Sequence, residues 1–275
     1  MEKKSCPMCE NGKGLKETYN ILYKKTYNNC LLETENFYVV PDNYPVADYH
    51  ILIIPKEHYM SYSTLEDNKS FELDAIVKTI STITKSSNFI LFEHGSNNVK
   101  NIQKPCGNSL YHAHLHFIPD VQLNKDKIIE ICTSKKEGQE LELIEKESFQ
   151  DCIYYKKKEQ LILDFLKKDL PTREPYLFCC YSSLTGGTLC VQDSKIKGNS
   201  APSQFFRRIF AEICNPDIEK PFFNWKKEED VKFSHEIRER RIEQIKEKFI
   251  DKEKISSTFL EIMKLSLSQI SGIKK

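Results

Sequence analysis

Histidine is concentrated in one part of this 275-residue chain. Six of the seven histidines lie between positions 50 and 116, and His235 stands alone near the C-terminus. Three of the six alternate with apolar residues, at His112, His114 and His116. Neutral imidazole is a good nucleophile, and it is also a common metal ligand. We therefore expect the chemistry that histidine performs in this protein to belong to its first 120 residues.

The alternating histidines predict a strand that presents them to one side of a sheet. Successive side chains of a β-strand face opposite ways, so a strand from Leu110 to Pro119 places His112, His114 and His116 on one face, roughly 6.6 Å apart per step. An exposed strand face would ordinarily carry Lys, Thr or Glu, so three aligned histidines indicate a site. A zinc hydrolase that uses His112 and His114 as ligands is an alternative, but it leaves His116 without a task.

Hydrophobic periodicity predicts the elements that must position this strand. In the first half we predict strands at 36–41, 49–55, 89–92 and 110–119, and a helix at about 65–87. Beyond position 120 we predict strands at 127–132, 140–146, 152–156, 176–182 and 188–193, and helices at 157–168, after Ser203, and from about 235 with a break near Ser256 and Ser257. The fold class is therefore α+β. A catalytic domain at 1–122 carries an antiparallel sheet with flanking helices, and a C-terminal α+β extension at 123–275 packs on it.

The composition excludes several classes of protein. The chain has 41 basic and 40 acidic side chains, and its net charge of +1 argues against a grossly basic nucleic-acid binder. No apolar run approaches the roughly 18 residues that a membrane span needs, and the N-terminal residues have no apolar signal region. Ten cysteines in a chain of this length indicate a reducing compartment. We expect a cytoplasmic protein without a membrane or nucleic-acid partner.

Three segments of the chain resemble the histidine triad (HIT) superfamily. His112 to Ile118 reads His-Ala-His-Leu-His-Phe-Ile and fits the signature of three histidines that alternate with apolar residues. Asp42 to His58 is similar to the family strand that ends in Ile-Pro-Lys-x-His, and Cys6-Pro7-Met8-Cys9 is similar to the zinc half-site of many bacterial members. The resemblance covers about residues 5–120. It implies a HIT-like sheet and a nucleotide hydrolase or transferase that acts at an α-phosphate of a dinucleoside polyphosphate or a nucleoside phosphoramidate.

The resemblance also implies roles for individual residues. The family's central histidine, here His114, attacks the α-phosphorus and forms a nucleotidyl-histidine intermediate. His116 and His50 would donate hydrogen bonds to the phosphate, and Asp42 occupies the place of an acid that binds the ribose hydroxyls, although it is equally well explained as a turn residue. The predicted catalytic residues are His50, Ser109, His114 and His116, and the predicted substrate-binding residues are Asp42, Gly107, Asn108 and His112. A nucleotide-binding module with vestigial catalysis is a further alternative.

The resemblance implies one metal site and one partner class, and the chain departs from the family pattern at Glu93. A structural zinc ion would be held by Cys6, Cys9, His58 and His112, unless the two cysteines are merely reduced and unliganded; no organic cofactor is expected. The partner is a nucleotide substrate, and a homodimer is possible because small family members commonly dimerise. Glu93 replaces a frequent Asn and is expected to point elsewhere or to bind ribose or a cation. In the extension, Arg207 and Arg208 are expected on the solvated face of a helix, with an anion site as the alternative.

We predict that replacing both Cys6 and Cys9 by Ser lowers zinc content and thermal stability more than it lowers intrinsic chemistry. A structural zinc contributes folding energy because its ligands are gathered only in the native state. Elemental analysis of the purified protein and thermal unfolding of both forms measure the effect. Well under one zinc per wild-type chain would contradict the site.

Overall fold

The computed structural model describes residues 30–86, 88–95, 112–121, 154–155, 176–182, 188–192, 204–218 and 235–273. The described strands are β1 (Leu32–Glu33), β2 (Phe37–Pro41), β3 (Ile51–Pro55), β4 (Phe89–Gly95), β5 (Leu115–Pro119), β6 (Tyr154–Tyr155), β7 (Tyr176–Ser182) and β8 (Thr188–Gln192). The described α-helices are α1 (Ser70–Thr84), α2 (Phe205–Cys214), α3 (His235–Lys248) and α4 (Lys252–Ile273), and two short 3-10 helices, Tyr62–Thr64 and Asp67–Lys69, precede α1. No helix among these residues combines the length and apolarity needed to cross a membrane.

The strands form one antiparallel sheet in the order β1-β2-β3-β5-β4-β7-β8-β6. β5 therefore lies between β3 and β4, and His116 is the register partner of Leu52 on one side and of Phe92 on the other. This position in the middle of the sheet fixes the backbone of β5 from both edges. The predicted α+β architecture with an antiparallel sheet and flanking helices is confirmed.

The two faces of the sheet have different coverings. Leu115 and Phe117 belong to a core that also contains residues of β2 and β3, and α1 contributes Leu73, Ile76 and Ile80 to it. On the opposite face His116 stacks on Phe92, which in turn contacts Phe206 and Phe210 of α2. The alternation predicted for the histidine segment therefore holds for Leu115, His116 and Phe117.

The predicted strand from Leu110 starts too early for the described part of the segment. β5 begins at Leu115, so His112 and His114 precede the strand. The backbone N–H of Ala113 donates to the carbonyl of Tyr59 at 2.7 Å, and the ring of His114 bonds back to the carbonyl of His112. The N–H of Ala113 and the carbonyl of His112 are therefore engaged outside the sheet, and each residue has only one backbone donor to offer a neighbouring strand.

The sheet continues beyond the part of the chain that carries the histidines. β7 pairs with β4 from Phe89 opposite Ser182 to Gly95 opposite Tyr176, and β8 pairs with β7. The strands predicted at 176–182 and 188–193 are thus present, the latter one residue shorter. The elements predicted at 127–132, 140–146 and 157–168 lie outside the described residues. The boundary at 122 stays a prediction, although strands on both sides of it share one sheet.

The predicted break near Ser256 and Ser257 is wrong. Both serines lie inside α4, and the interruption falls between Lys248 and Lys252. Phe249 is buried in the core there, and the carboxylate of Asp251 accepts a hydrogen bond from the backbone N–H of Lys254 at 2.9 Å. A side chain that accepts from the third helical N–H is an N-cap, so Asp251 starts a new helix.

We predict that Asp251→Ala destabilises the protein by about 1 kcal/mol, because it removes this cap. Asp251→Asn is the matched control: its side-chain oxygen can still cap, and it should lose no more than a few tenths of that amount. Urea unfolding of the three proteins measures the difference, and an equal loss in both variants would show that the charge of Asp251 matters rather than its cap.

Candidate active site

The tautomer of His114 is set by its own segment. Its Nδ1 lies 2.7 Å from the carbonyl oxygen of His112, and a carbonyl can only accept, so Nδ1 carries the proton. The lone pair of the neutral ring is therefore on Nε2, which has no hydrogen-bond partner among the described residues. Burial lowers the pKa of His114 and keeps the ring neutral near pH 7. This is the state in which an imidazole nitrogen can attack an electrophile.

A hydrogen-bond chain sets the opposite tautomer in His116. The backbone N–H of Val46 donates to Nδ1 of His50 at 3.2 Å, so His50 carries its proton on Nε2. That Nε2 lies 2.9 Å from Nδ1 of His116, which accepts and leaves the His116 proton on Nε2. The rings of His114 and His116 are 5.0 Å apart between centroids and meet edge to face. The two rings thus offer a lone pair and an N–H side by side.

A buried carboxylate lies beside this chain. An oxygen of Asp42 is 3.5 Å from Nε2 of His50 and 3.6 Å from Nδ1 of His116. The same oxygen forms an ion pair with the guanidinium of Arg207, a residue of α2. Burial alone would raise the pKa of the Asp42 carboxyl, but Arg207, His50 and His116 outweigh it and hold that pKa well below its usual range. Asp42 is therefore ionised.

The three ligand atoms of Asp42, His50 and His116 are close enough to hold a metal ion, since they lie within 4.8 Å of one another. The guanidinium of Arg207 already supplies a positive charge to Asp42. A cation placed in this group would therefore be repelled at short range, which disfavours a metal here.

Residues of α2 and α3 hold the loop that joins β2 to β3. Arg207 also donates to the carbonyl of Tyr44, and Asn215 donates to the carbonyl of Val46 at 2.8 Å. Arg241 donates to the carbonyl of Pro45 at 3.1 Å and to the carboxylate of Asp48 at 2.9 Å. Because Asp42 and His50 stand at the two ends of this loop, these bonds fix both side chains. The expectation that Arg207 lies on a solvated helix face is wrong, whereas Arg208 pairs with Glu212 on its own helix.

Two further polar residues of β4 are buried on opposite faces. His94 accepts the backbone N–H of Phe206 at Nε2 (3.2 Å) and stacks on its ring, so it attaches α2 to the sheet. Burial lowers the pKa of His94 to about 3. Glu93 accepts the backbone N–H of Tyr62 at 3.0 Å, on the face away from His116. The expectation that Glu93 points elsewhere agrees with this geometry.

His112 and His58 form an imidazole pair next to the site. Their rings meet edge to face at 5.1 Å between centroids. Nε2 of His112 donates to the carbonyl of Pro55 at 2.9 Å, which places the lone pair on Nδ1, and burial lowers the pKa of His112 to about 4. A neutral imidazole whose other nitrogen is anchored is the form that binds zinc. Cys6 and Cys9, predicted as the other ligands, lie outside the described residues, as do Gly107, Asn108 and Ser109.

Comparison with known proteins identifies the family of this chain. Residues 16–129 match the family model described as scavenger mRNA decapping enzyme C-term binding. An uncharacterised HIT-like protein of Mycoplasma genitalium is 30% identical over 121 residues, which cover 44% of this chain and 77% of that protein. The chain belongs to the histidine triad family.

Two further proteins are also similar to this chain. The adenosine 5'-monophosphoramidase of Candida albicans is 30% identical over 90 residues, 32% of this chain and 59% of that protein. A solved structure of a yeast Ap4A phosphorylase covers 78% of this chain and 72% of its own, at 12% identity and a TM-score of 0.35. Histidine triad proteins are in general nucleotide hydrolases or transferases.

Sequence reasoning did not find the contacts by which residues beyond position 200 complete the site. Arg207, Asn215 and Arg241 contact the β2–β3 loop, but their partners lie more than 160 positions earlier for Arg207 and Asn215, and 193 or more for Arg241. A local signal existed for Arg207. Its helical row continues through Ala211, a buried small residue, rather than through charged positions.

We predict that stability falls as the pH is lowered from about 6.5. Burial, together with Arg207 and Arg241, lowers the pKa of His50 to about 3, and that of His94 is similarly low. Below its ordinary pKa of 6.5 each histidine binds a proton in the unfolded chain and not in the folded one. Each histidine therefore lowers the free energy of unfolding by up to about 1.4 kcal/mol for every pH unit below 6.5.

Urea unfolding at several values between about pH 7 and about pH 4.5 measures this slope. His94→Gln is the control, because its side-chain oxygen can still accept the N–H of Phe206 while one titrating group is removed. The variant should show a shallower slope. A slope that does not change would contradict the assignment of His94.

Proposed function

We propose that this protein is a nucleotidyl hydrolase or transferase that acts at the α-phosphate of a nucleotide through a nucleotidyl-histidine intermediate on His114. The observation that carries the proposal is the pair of opposite tautomers, with a lone pair on Nε2 of His114 and a proton on Nε2 of His116. A nucleophile and a donor for the phosphate oxygens are the two groups that such a transfer needs.

In the first step the lone pair of His114 forms a bond to phosphorus while the bond from phosphorus to the leaving group breaks. The leaving group departs with the electron pair of that bond. In the second step the oxygen of water, or of an acceptor, bonds to phosphorus and releases its proton to the solvent, while the phosphorus–nitrogen bond breaks and its electron pair returns to the neutral ring. His116 donates a hydrogen bond to a phosphate oxygen in both steps, as charge develops there.

The proposed substrates are a nucleoside phosphoramidate or a dinucleoside polyphosphate. The similarity to an adenosine 5'-monophosphoramidase supports the first class. A histidine at position 116 supports a hydrolase, because transferase and phosphorylase branches of the superfamily that the chain resembles commonly carry Gln at the third triad position. His116 is held by His50 and can donate to the phosphate.

We also propose a structural zinc ion held by His58, His112, Cys6 and Cys9. The neutral ring of His112, with its lone pair on Nδ1, and the adjacent ring of His58 support half of a tetrahedral site. The metal would tie the N-terminal segment to the residues that precede β5. It takes no part in the two transfer steps.

We predict that His114→Ala abolishes turnover, to less than about a hundredth of the wild-type rate, while folding and nucleotide affinity change little. The wild type, quenched during turnover of an adenine nucleotide labelled at the α-phosphate, should carry a labelled adduct that is stable to base and labile to acid. His235→Ala is the control, because His235 is exposed and distant from the site in sequence.

Two outcomes would contradict the proposed function. Labelling that persists in His114→Ala would place the intermediate on another residue. Turnover by the wild type without any adduct would favour direct attack by water instead. Release of nucleoside monophosphate from adenosine phosphoramidate and from diadenosine polyphosphates, with and without inorganic phosphate, separates the substrate and acceptor classes.

A further inference from the structure

The guanidinium of Arg207 is built into the histidine site from a distant part of the chain. Arg207 is only 5% exposed, and it binds both the carboxylate of Asp42 and the carbonyl of Tyr44. It lies on α2, beyond the segment at 16–129 that matches the family model. The contact is therefore a feature of this chain's C-terminal part, and the two steps above assign it no role.

A buried carboxylate at the position of Asp42 would by itself alter the neighbouring histidines. Its oxygen is within 3.6 Å of a ring nitrogen of both His50 and His116. An anion at that distance in a buried site favours a protonated imidazole. If His50 or His116 became charged, both of its nitrogens would carry protons, and the chain that runs from Val46 through His50 to His116 would lose its single direction.

Arg207 supplies the positive charge that the carboxylate would otherwise draw from a histidine. We propose that Arg207 is a positioning residue that holds Asp42 as an ion pair, so that His50 and His116 stay uncharged and His116 keeps its proton on Nε2. The kinetic consequence rests on the proposed function, whereas the charge state of the histidines does not.

The other charged and titratable groups that face this pair act in the same direction. Arg241 of α3 is near enough to disfavour a proton on His50, and His114 acts on both rings of the pair. His94 of β4 lies on the same face and is neutral. Asp42 is therefore the only described group on this face that favours an imidazolium, and Arg207 is its direct partner.

The pairing also bears on what Asp42 does. Its carboxylate is 4% exposed and is occupied by Arg207, His50 and His116. An acid that binds ribose must present its oxygens to the substrate. In this chain the carboxylate instead serves the internal ion pair, so its loss should affect substrates with and without ribose hydroxyls alike.

The first experiment reads the histidine charges by 15N NMR of the imidazole rings, without substrate, as a function of pH. In Arg207→Met, His50 or His116 should become protonated at higher pH than in the wild type, and Arg207→Lys should restore much of the wild-type behaviour. Arg208→Met, on the same helix but paired with Glu212, is the matched control and should change nothing. Unchanged imidazole signals in Arg207→Met would overturn the proposal, whatever happens to activity.

A double variant keeps the test decisive if Arg207→Met folds poorly. Asp42→Asn with Arg207→Met removes both charges, so no uncompensated carboxylate remains and the histidines should again be neutral. Protonated histidines in the double variant would show that Arg207 does not act through Asp42, which overturns the proposal.

The second experiment measures kinetics. Arg207→Met should lower kcat by about tenfold or more with a change in KM of no more than about twofold, because the donor is misdirected while substrate contacts remain. A loss confined to KM would make Arg207 a substrate-binding residue and overturn the positioning role. Absence of the labelled His114 adduct in the wild type would remove the proposed function but leave the NMR result standing, so the two failures are distinguishable.

The third experiment tests whether Asp42 binds the ribose hydroxyls of the substrate. Asp42→Asn should reduce turnover of adenosine phosphoramidate and of its 2',3'-dideoxy analogue by the same factor. A markedly larger loss on the ribose-containing substrate would assign Asp42 to the hydroxyl groups and overturn its internal role.

Discussion

The ion pair between Asp42 and Arg207 is the contact on which the charge balance of the histidine site depends. Both side chains are buried, and each would be an uncompensated charge without the other. Removing one partner of such a pair typically costs about 3–5 kcal/mol, more than a buried pair gains over an apolar substitute. The pair is therefore weak evidence for a gain in folding stability. It is stronger evidence that the fold requires Asp42 and Arg207 in this particular arrangement. It joins residues 165 positions apart, so it attaches α2 to the start of the β2–β3 loop.

The aromatic residues that cover the sheet strengthen the effect of each charge in this site. Phe92 stacks on His116 at 4.3 Å between ring centroids, and Phe206 and Phe210 pack on Phe92. In such surroundings a charge is poorly screened, and a hydrogen bond is electrostatically stronger than it would be in water. The same burial that keeps the imidazoles neutral therefore makes them sensitive to a single nearby carboxylate. Arg207 is the described group placed to offset it.

Apolar periodicity in the sequence predicted the strands and helices whose formation depends on nearby residues. The strands at 89–95 and 176–182, the helix that contains Leu73 and Ile80, and the alternation around His116 follow from apolar periodicity. The start of β5 depends instead on a contact with Tyr59, which no local pattern encodes. The break after Lys248 combines the burial of Phe249 in the core with a local signal, the N-cap of Asp251. The direction of the Glu93 side chain could be predicted, because Glu93 follows Phe92, the register partner of His116, and successive strand residues face opposite ways. The contact between Arg207 and Asp42 could not be predicted, because the two residues are 165 positions apart.

The two central histidines are oriented by separate means. The proton of His114 is placed on Nδ1 by the carbonyl of His112, two residues away. The proton of His116 is fixed by a chain that begins at the backbone of Val46 and passes through His50, on a loop held by Asn215, Arg207 and Arg241. The orientation of the proposed nucleophile therefore depends on the family segment, whereas that of the proposed donor depends also on the C-terminal helices. A change in those helices should alter how phosphate charge is stabilised before it alters which atom attacks.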